Sequence, residues 1–221
     1  MTPRTRVLGE LADRLVGLDP GHPLRVGIDG PCGVGKSRFA AELVRSITAR
    51  GADGVHLDSD GFHHPRAVRH RQGRDSARGY YEDAYDFDAL AERVLRPLGP
   101  GGSGRYATAV HDLPSDATVT DAYAEAGPRT IVVFDCTFLQ RGALRQLWDE
   151  VIYLDARRAT AHTRAVDRDA DLLGGREAAT AAHDGRYLAA FDLYLAEERP
   201  RQRASIVVGH EDPAAPYVVK D

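Results

Sequence analysis

The chain has 221 residues, 43% of them hydrophobic, which is enough to bury one sizeable α/β core. Its net charge is −4 with acidic residues interspersed among basic ones, which excludes the electrostatic footprint of a DNA- or RNA-binding protein. No apolar run approaches the roughly 20 residues that a membrane span needs. The opening "MTPRTRVLGELADRL" reads as an amphipathic helix to about Val16 and not as a signal peptide, so the expectation is a cytoplasmic protein with no membrane and no nucleic-acid partner. "GLDPGHP" breaks that helix. "LRVGID" then has the pattern of a buried strand, and "KSRFAAELVRSITARG" that of a helix with Phe39, Leu43, Val44 and Ile47 on its apolar side and Gly51 at its end.

Between that strand and helix, residues 30–37 read G-P-C-G-V-G-K-S, which fits G-x-x-x-x-G-K-[ST], the phosphate-binding P-loop pattern. A glycine-rich turn leaves backbone N–H groups free at a helix N-terminus, where the helix dipole also favours an anion. The pattern assigns Gly30, Cys32, Gly33, Val34, Gly35, Lys36 and Ser37 to a nucleoside triphosphate. Lys36 neutralises its terminal phosphates and the Ser37 hydroxyl ligates Mg²⁺.

Further along, "GVHLDSD" (54–60) is a short strand ending in acids, followed by a polar, arginine- and histidine-rich segment to about Tyr85. "DFDALAERVLRPL" is a helix that Asp86 can cap, "GPGGSG" is a flexible break, and "RYATAVHDL" is strand-like ahead of a turn. "RTIVVFD" (129–135) is a second buried strand, "RGALRQLWDE" a helix and "VIYLDA" a third strand. Helical stretches follow at 157–172 and 176–198, and "ASIVVG" (204–209) is the last strand. Apolar strands alternating with helices predict a parallel sheet covered on both faces, with its ligand at the carboxyl ends of the strands. Asp58, Asp60, Asp135 and Asp155 stand there. Asp135 has the place of a Walker B acid near the metal, and Asp58 or Asp60 can orient an attacking hydroxyl. Cys32 and Cys136 read as two unrelated reduced thiols, and the nine histidines show no metal-ligand spacing.

"DGFHHP", "YYEDAYDFDAL" and "FDCTFLQRGALRQLWDEVIYLDA" resemble the uridine kinase family of P-loop kinases, whose relatives include pantothenate kinases and phosphoribulokinases. The likeness runs from about Arg25 to Pro216. It implies an α/β fold, a P-loop nucleoside-kinase-like three-layer sandwich with a mostly parallel central sheet, forming one kinase domain over 1–221 with a helical lid at about 157–176. It also implies ATP and Mg²⁺, with 5′-phosphorylation of a uridine- or cytidine-like nucleoside, and it allows a homo-oligomer. On this resemblance Asp60, in the family's D-[SG]-F motif, acts on the 5′-hydroxyl, with Lys36 and Arg168 as the other catalytic groups. Arg164 joins Arg168 over the transferring phosphate. Tyr106 and His111 repeat the family's Tyr-x4-His spacing and would hold the pyrimidine. His63 stands where relatives often carry tyrosine, and Tyr80 where they carry the acid that grips the ribose, leaving Asp83 and Asp86 either to replace it or only to cap the following helix. These departures keep another small alcohol open as acceptor: pantothenate, nicotinamide riboside or a specialised metabolite. From a different class comes a nucleotide-binding switch, which would lack the acceptor pocket that Asp60, Tyr106 and His111 imply.

Overall fold

The computed structural model describes residues 1–220. Helix α1 (Pro3–Val16) starts on Thr2, whose side chain accepts from the Thr5 N–H. Strand β1 (Leu24–Asp29), buried at every position, runs through the glycine-rich turn into α2 (Lys36–Thr48). After β2 (Gly54–Asp58) and a 3₁₀ turn come α3 (Arg66–Arg69), α4 (Ala77–Asp83) and α5 (Phe87–Leu90), the last continued by a wide π-type turn to Leu95. Four short strands, β3 (Arg105–Ala107), β4 (His111–Asp112), β5 (Ala117–Thr118) and β6 (Tyr123–Glu125), pair as two antiparallel ribbons, β3 with β6 and β4 with β5. Then follow β7 (Ile131–Asp135), β8 (Glu150–Asp155), α6 (Arg158–Asp169), α7 (Arg176–Ala182), α8 (Ala189–Glu198), α9 (Pro200–Arg203), β9 (Ile206–Gly209) and β10 (Tyr217–Lys220).

The main sheet has six strands in the order β10-β9-β8-β1-β7-β2, parallel throughout except for β10. Alternation along β7 builds two cores. Ile131 and Val133 pack with Val26, Ile28, Phe39 and Leu43 on the α1–α2 side, while Val132 and Phe134 pack with Phe62, Trp148 and Tyr194 on the other. The expected α/β sandwich with a mostly parallel sheet is therefore present. Register sets the acids side by side at one end: Asp58 lies opposite Asp135, and Asp135 opposite Ile28, one residue before Asp29.

Three element expectations are corrected. "RGALRQLWDE" forms a 3₁₀ segment over Gly142–Leu147, because the connection to β8 is short and Trp148 must turn inward to donate to the Leu139 carbonyl at 3.0 Å. "ASIVVG" is not the last strand, since β10 adds an antiparallel edge beyond it. The polar stretch before Tyr85 contains α3 and α4, the latter burying Gly79, Tyr81 and Asp83. Among the described residues, no helix is long and apolar enough to cross a membrane.

Candidate active site

The turn after β1 needs glycine for reasons visible in its packing. Gly33 has φ +79°, and a Cβ there would overlap the Ala161 carbonyl and crowd Ala165, both on α6. Gly35, at φ +98°, precedes α2 and supplies no side-chain cap, so the amides of that helix end stay open to an anion. Lys36 extends across the loop, with Nζ donating to the Gly30 carbonyl (3.0 Å), the Pro31 carbonyl (3.1 Å) and Thr137 Oγ1 (2.9 Å). Ser37 Oγ donates to Asp135 Oδ2 at 2.7 Å, and the other oxygen of this buried carboxylate lies 2.6 Å from His56 Nε2.

Beneath the loop, Asp29 is fully buried. It accepts from the Gly30 N–H (2.7 Å), Tyr194 Oη (2.6 Å) and Gln140 Nε2 (3.0 Å). Burial pushes its carboxyl above the usual aspartate range, against the pull of those donors. The start of the loop is thus tied to α8 and to the chain after β7.

The turn after β2 presents a second pair of acids. Asp58 Oδ1 accepts from the Asp60 N–H at 2.8 Å, closing an Asx turn that leaves the Asp60 side chain exposed. His63 Nε2 lies 3.7 Å from Asp60 Oδ1, while its Nδ1 donates to the Ala84 carbonyl at 2.8 Å and its ring stacks on Tyr85. The two carboxyls are driven apart: chiefly His63, then Arg168, holds Asp60 below the usual range, whereas burial and the charges of Asp60 and Asp135 raise Asp58.

One cavity of about 900 Å³ joins these parts, with Cys32, Lys36, Ser37 and Asp135 on one side and Asp58, Asp60 and His63 on another. Arg168 also lines it, paired with Asp169 and with Nη2 3.5 Å from Cys32 Sγ. Tyr80 lies in the wall, 3.4 Å from Tyr85 through the two hydroxyls.

Other expected residues lie outside this cavity lining. Arg164 points away, donating to the carbonyls of His210 (3.3 Å) and Glu211 (2.6 Å). Tyr106 is buried in the core, and His111 is buried with Nε2 3.1 Å from Asp116 Oδ1. Asp83 is buried under Arg71 and Gln72, and Asp86 caps α5 through the Ala89 N–H at 2.8 Å. Val34 is a core residue whose carbonyl accepts from His210 Nδ1. Both cysteines are free thiols. Sequence reading missed Thr137 and His56, which reach the loop lysine and Asp135 only through strand register. It also missed Arg66, Arg69, Arg74 and Arg186 in the cavity wall. The signal for three of these was the stretch "RAVRHRQGR" (66–74), which composition marks only as polar.

No family model matches the sequence. The chain is 23% identical over 152 residues to a uridine kinase of Leuconostoc citreum (strain KM20), a match covering 69% of this chain and 71% of that protein. Among solved structures, it resembles a possible uridine kinase from Bacillus stearothermophilus at 22% identity and a TM-score of 0.71, over 92% of this chain and 98% of that one. It also resembles D-glycerate 3-kinase from Cryptococcus neoformans var. grubii at 13% identity and a TM-score of 0.58, over 85% and 87% of the two chains. In sequence the chain is thus similar to a uridine kinase, and its fold is that of the uridine kinase-like P-loop kinases.

Proposed function

We propose that the protein is an ATP-dependent kinase that phosphorylates a hydroxyl of a small molecule. The observation that carries this reading is a single cavity holding both the loop residues Lys36 and Ser37 and the acids Asp58, Asp60 and Asp135. A nucleotide-binding switch uses one acid at the metal, the place of Asp135, and has no use for the further pair Asp58 and Asp60. A kinase needs them to orient and deprotonate an acceptor.

ATP would lie with its phosphates on the amides of 30–37. The donor set fits Mg²⁺: Ser37 Oγ and Asp135 Oδ2 sit together, and this ion takes few protein oxygens when phosphates and waters supply the rest. When bound, Mg²⁺ neutralises charge on the phosphate oxygens. Lys36 does the same from the chain, and Thr137 orients its ammonium. Asp60 accepts the acceptor's proton while the acceptor oxygen bonds to the terminal phosphorus. The bond from that phosphorus to the bridging oxygen breaks, and its electron pair leaves with ADP. Residues 157–176 act as a lid that carries Arg168 over the phosphates and excludes water, which would otherwise take the phosphoryl group.

The family resemblance points first to a pyrimidine nucleoside as the acceptor. The engagement of Tyr106, His111 and Asp83 elsewhere favours another small alcohol. Product analysis by mass spectrometry after incubation with Mg·ATP and a panel of alcohols tests the reading. Asp60→Asn is expected to keep ATP binding and lose about 10²-fold or more in turnover. Full turnover in that variant would remove Asp60 from the reaction.

A further inference from the structure

The cavity has a charge pattern that phosphate transfer alone does not use. Six cationic side chains line it (Lys36, Arg66, Arg69, Arg74, Arg168 and Arg186) against four carboxylates (Asp58, Asp60, Asp135 and Asp169), in a chain whose net charge is −4. Lys36 and Arg168 belong to the loop side, the first by its bonds to Gly30 and Pro31, the second by its contact with Cys32. The other four arginines line the cavity together with His70. Burial, and then the charges of Arg186, Arg69, Arg74 and Arg66, push that ring below the usual histidine range.

These four guanidinium groups are poorly compensated. Asp169 is taken by Arg168 and His183, and Asp135 by Ser37 and His56. Asp116 gives Arg69 one contact at 3.3 Å and is shared with the Arg66 N–H and His111. No carboxylate pairs with Arg66, Arg74 or Arg186 among the described residues. The Nε atoms of Arg69 and Arg186 are buried without an acceptor. Arg186 is also fixed in place, its guanidinium 5.0 Å from the Tyr80 ring centre and 5.3 Å from that of Tyr187. Guanidinium groups with free donors, as on Arg69 and Arg186, match carboxylate or phosphate oxygens, whereas a neutral sugar or base offers acceptors without the opposite charge.

We infer that this arginine wall binds an anionic group on the acceptor, so that the substrate is a small alcohol carrying a carboxylate or a phosphate. The inference rests on the kinase reading of the same cavity. Asp60 faces the hydroxyl, the arginine wall takes the anion, and the spacing between them selects the molecule.

The test is calorimetric titration of malonate and of inorganic phosphate into the full chain saturated with Mg²⁺ and a non-hydrolysable ATP analogue, which keeps the probes off the loop. One of the two anions is expected to bind. Arg69→Gln and Arg74→Gln are each expected to weaken it at least tenfold, with affinity for the ATP analogue changed less than twofold. Arg74 makes no side-chain bond among the described residues, so its variant should fold even where that of Arg69 does not. A preference for malonate identifies a hydroxy acid, and a preference for phosphate a phosphate ester. Binding of neither anion, or binding that both variants retain, overturns the proposal. So does turnover of uridine or cytidine that the two variants leave unchanged, although the kinase reading then stands. A protein that binds the anion but not the ATP analogue overturns the kinase reading itself.

Discussion

Asp58 and Asp60 share one turn, yet their surroundings give them different titrations. His63 and Arg168 keep Asp60 charged into more acid solution than an ordinary aspartate, while burial and two neighbouring carboxylates make Asp58 give up its charge earlier as pH falls. With Asp60 as base, kcat/KM therefore holds level as pH falls through the ordinary aspartate range. An acid limb above that range would assign the base to Asp58. A pH–rate profile, with folding followed by circular dichroism over the same range, decides between them. That Asp60 would line the cavity was legible in the sequence because the acid sits next to a strand end in a short local motif. Thr137 and His56 were not, because their partners are 101 and 79 residues away in the chain and only strand pairing brings them together.

Among the elements, the proposed reaction depends most on the placement of α6, which carries Arg168. Its first turn is held from outside by Glu211, which accepts from the Arg157 N–H and Nε, both at 2.8 Å, and from Thr160 Oγ1. The Arg157 hydrogen bond, first among these, holds Glu211 down at about 2. The folded value lies below the unfolded one near 4.5, so this contribution is complete above about pH 4.5 and fades as pH falls toward 2. Glu211→Gln is expected to lower Tm at neutral pH and to flatten the fall in Tm across that window, as thermal melts at stepped pH would show. An unchanged profile would mean that Glu211 does not hold the helix. The same segment engages Arg164 through its main chain: the carbonyls of His210 and Glu211 accept from it, although it lies four residues from Arg168. Parallel strands and their helices were legible from apolar runs. The 3₁₀ segment at 142–147 and strand β10 were not, since a short connection and an edge strand with little buried surface leave weak patterns.

Across the molecule, the buried carboxylate of Asp29 joins the loop to the far layer, with Tyr194 from α8 donating to it and accepting from the Gln140 N–H at 2.9 Å. Tyr194→Phe strands one buried acceptor and one donor and is expected to cost about 1–3 kcal/mol, read from urea unfolding. No loss of stability would contradict the coupling. Tyr106 and His111 show how a motif can keep its spacing while the fold redirects it, one into the core and the other onto Asp116 beside the arginine segment. On the proposed reading, the loop and the acids serve one transfer from ATP to a hydroxyl. ADP release from Mg·ATP, measured with and without added alcohols in the wild type and in Lys36→Ala, tests it most directly. Release is expected to rise with one of the alcohols, with a phosphorylated product, and to fall by about 10²-fold or more in Lys36→Ala. ATP binding with ADP release that no alcohol raises, or full activity in Lys36→Ala, would contradict it.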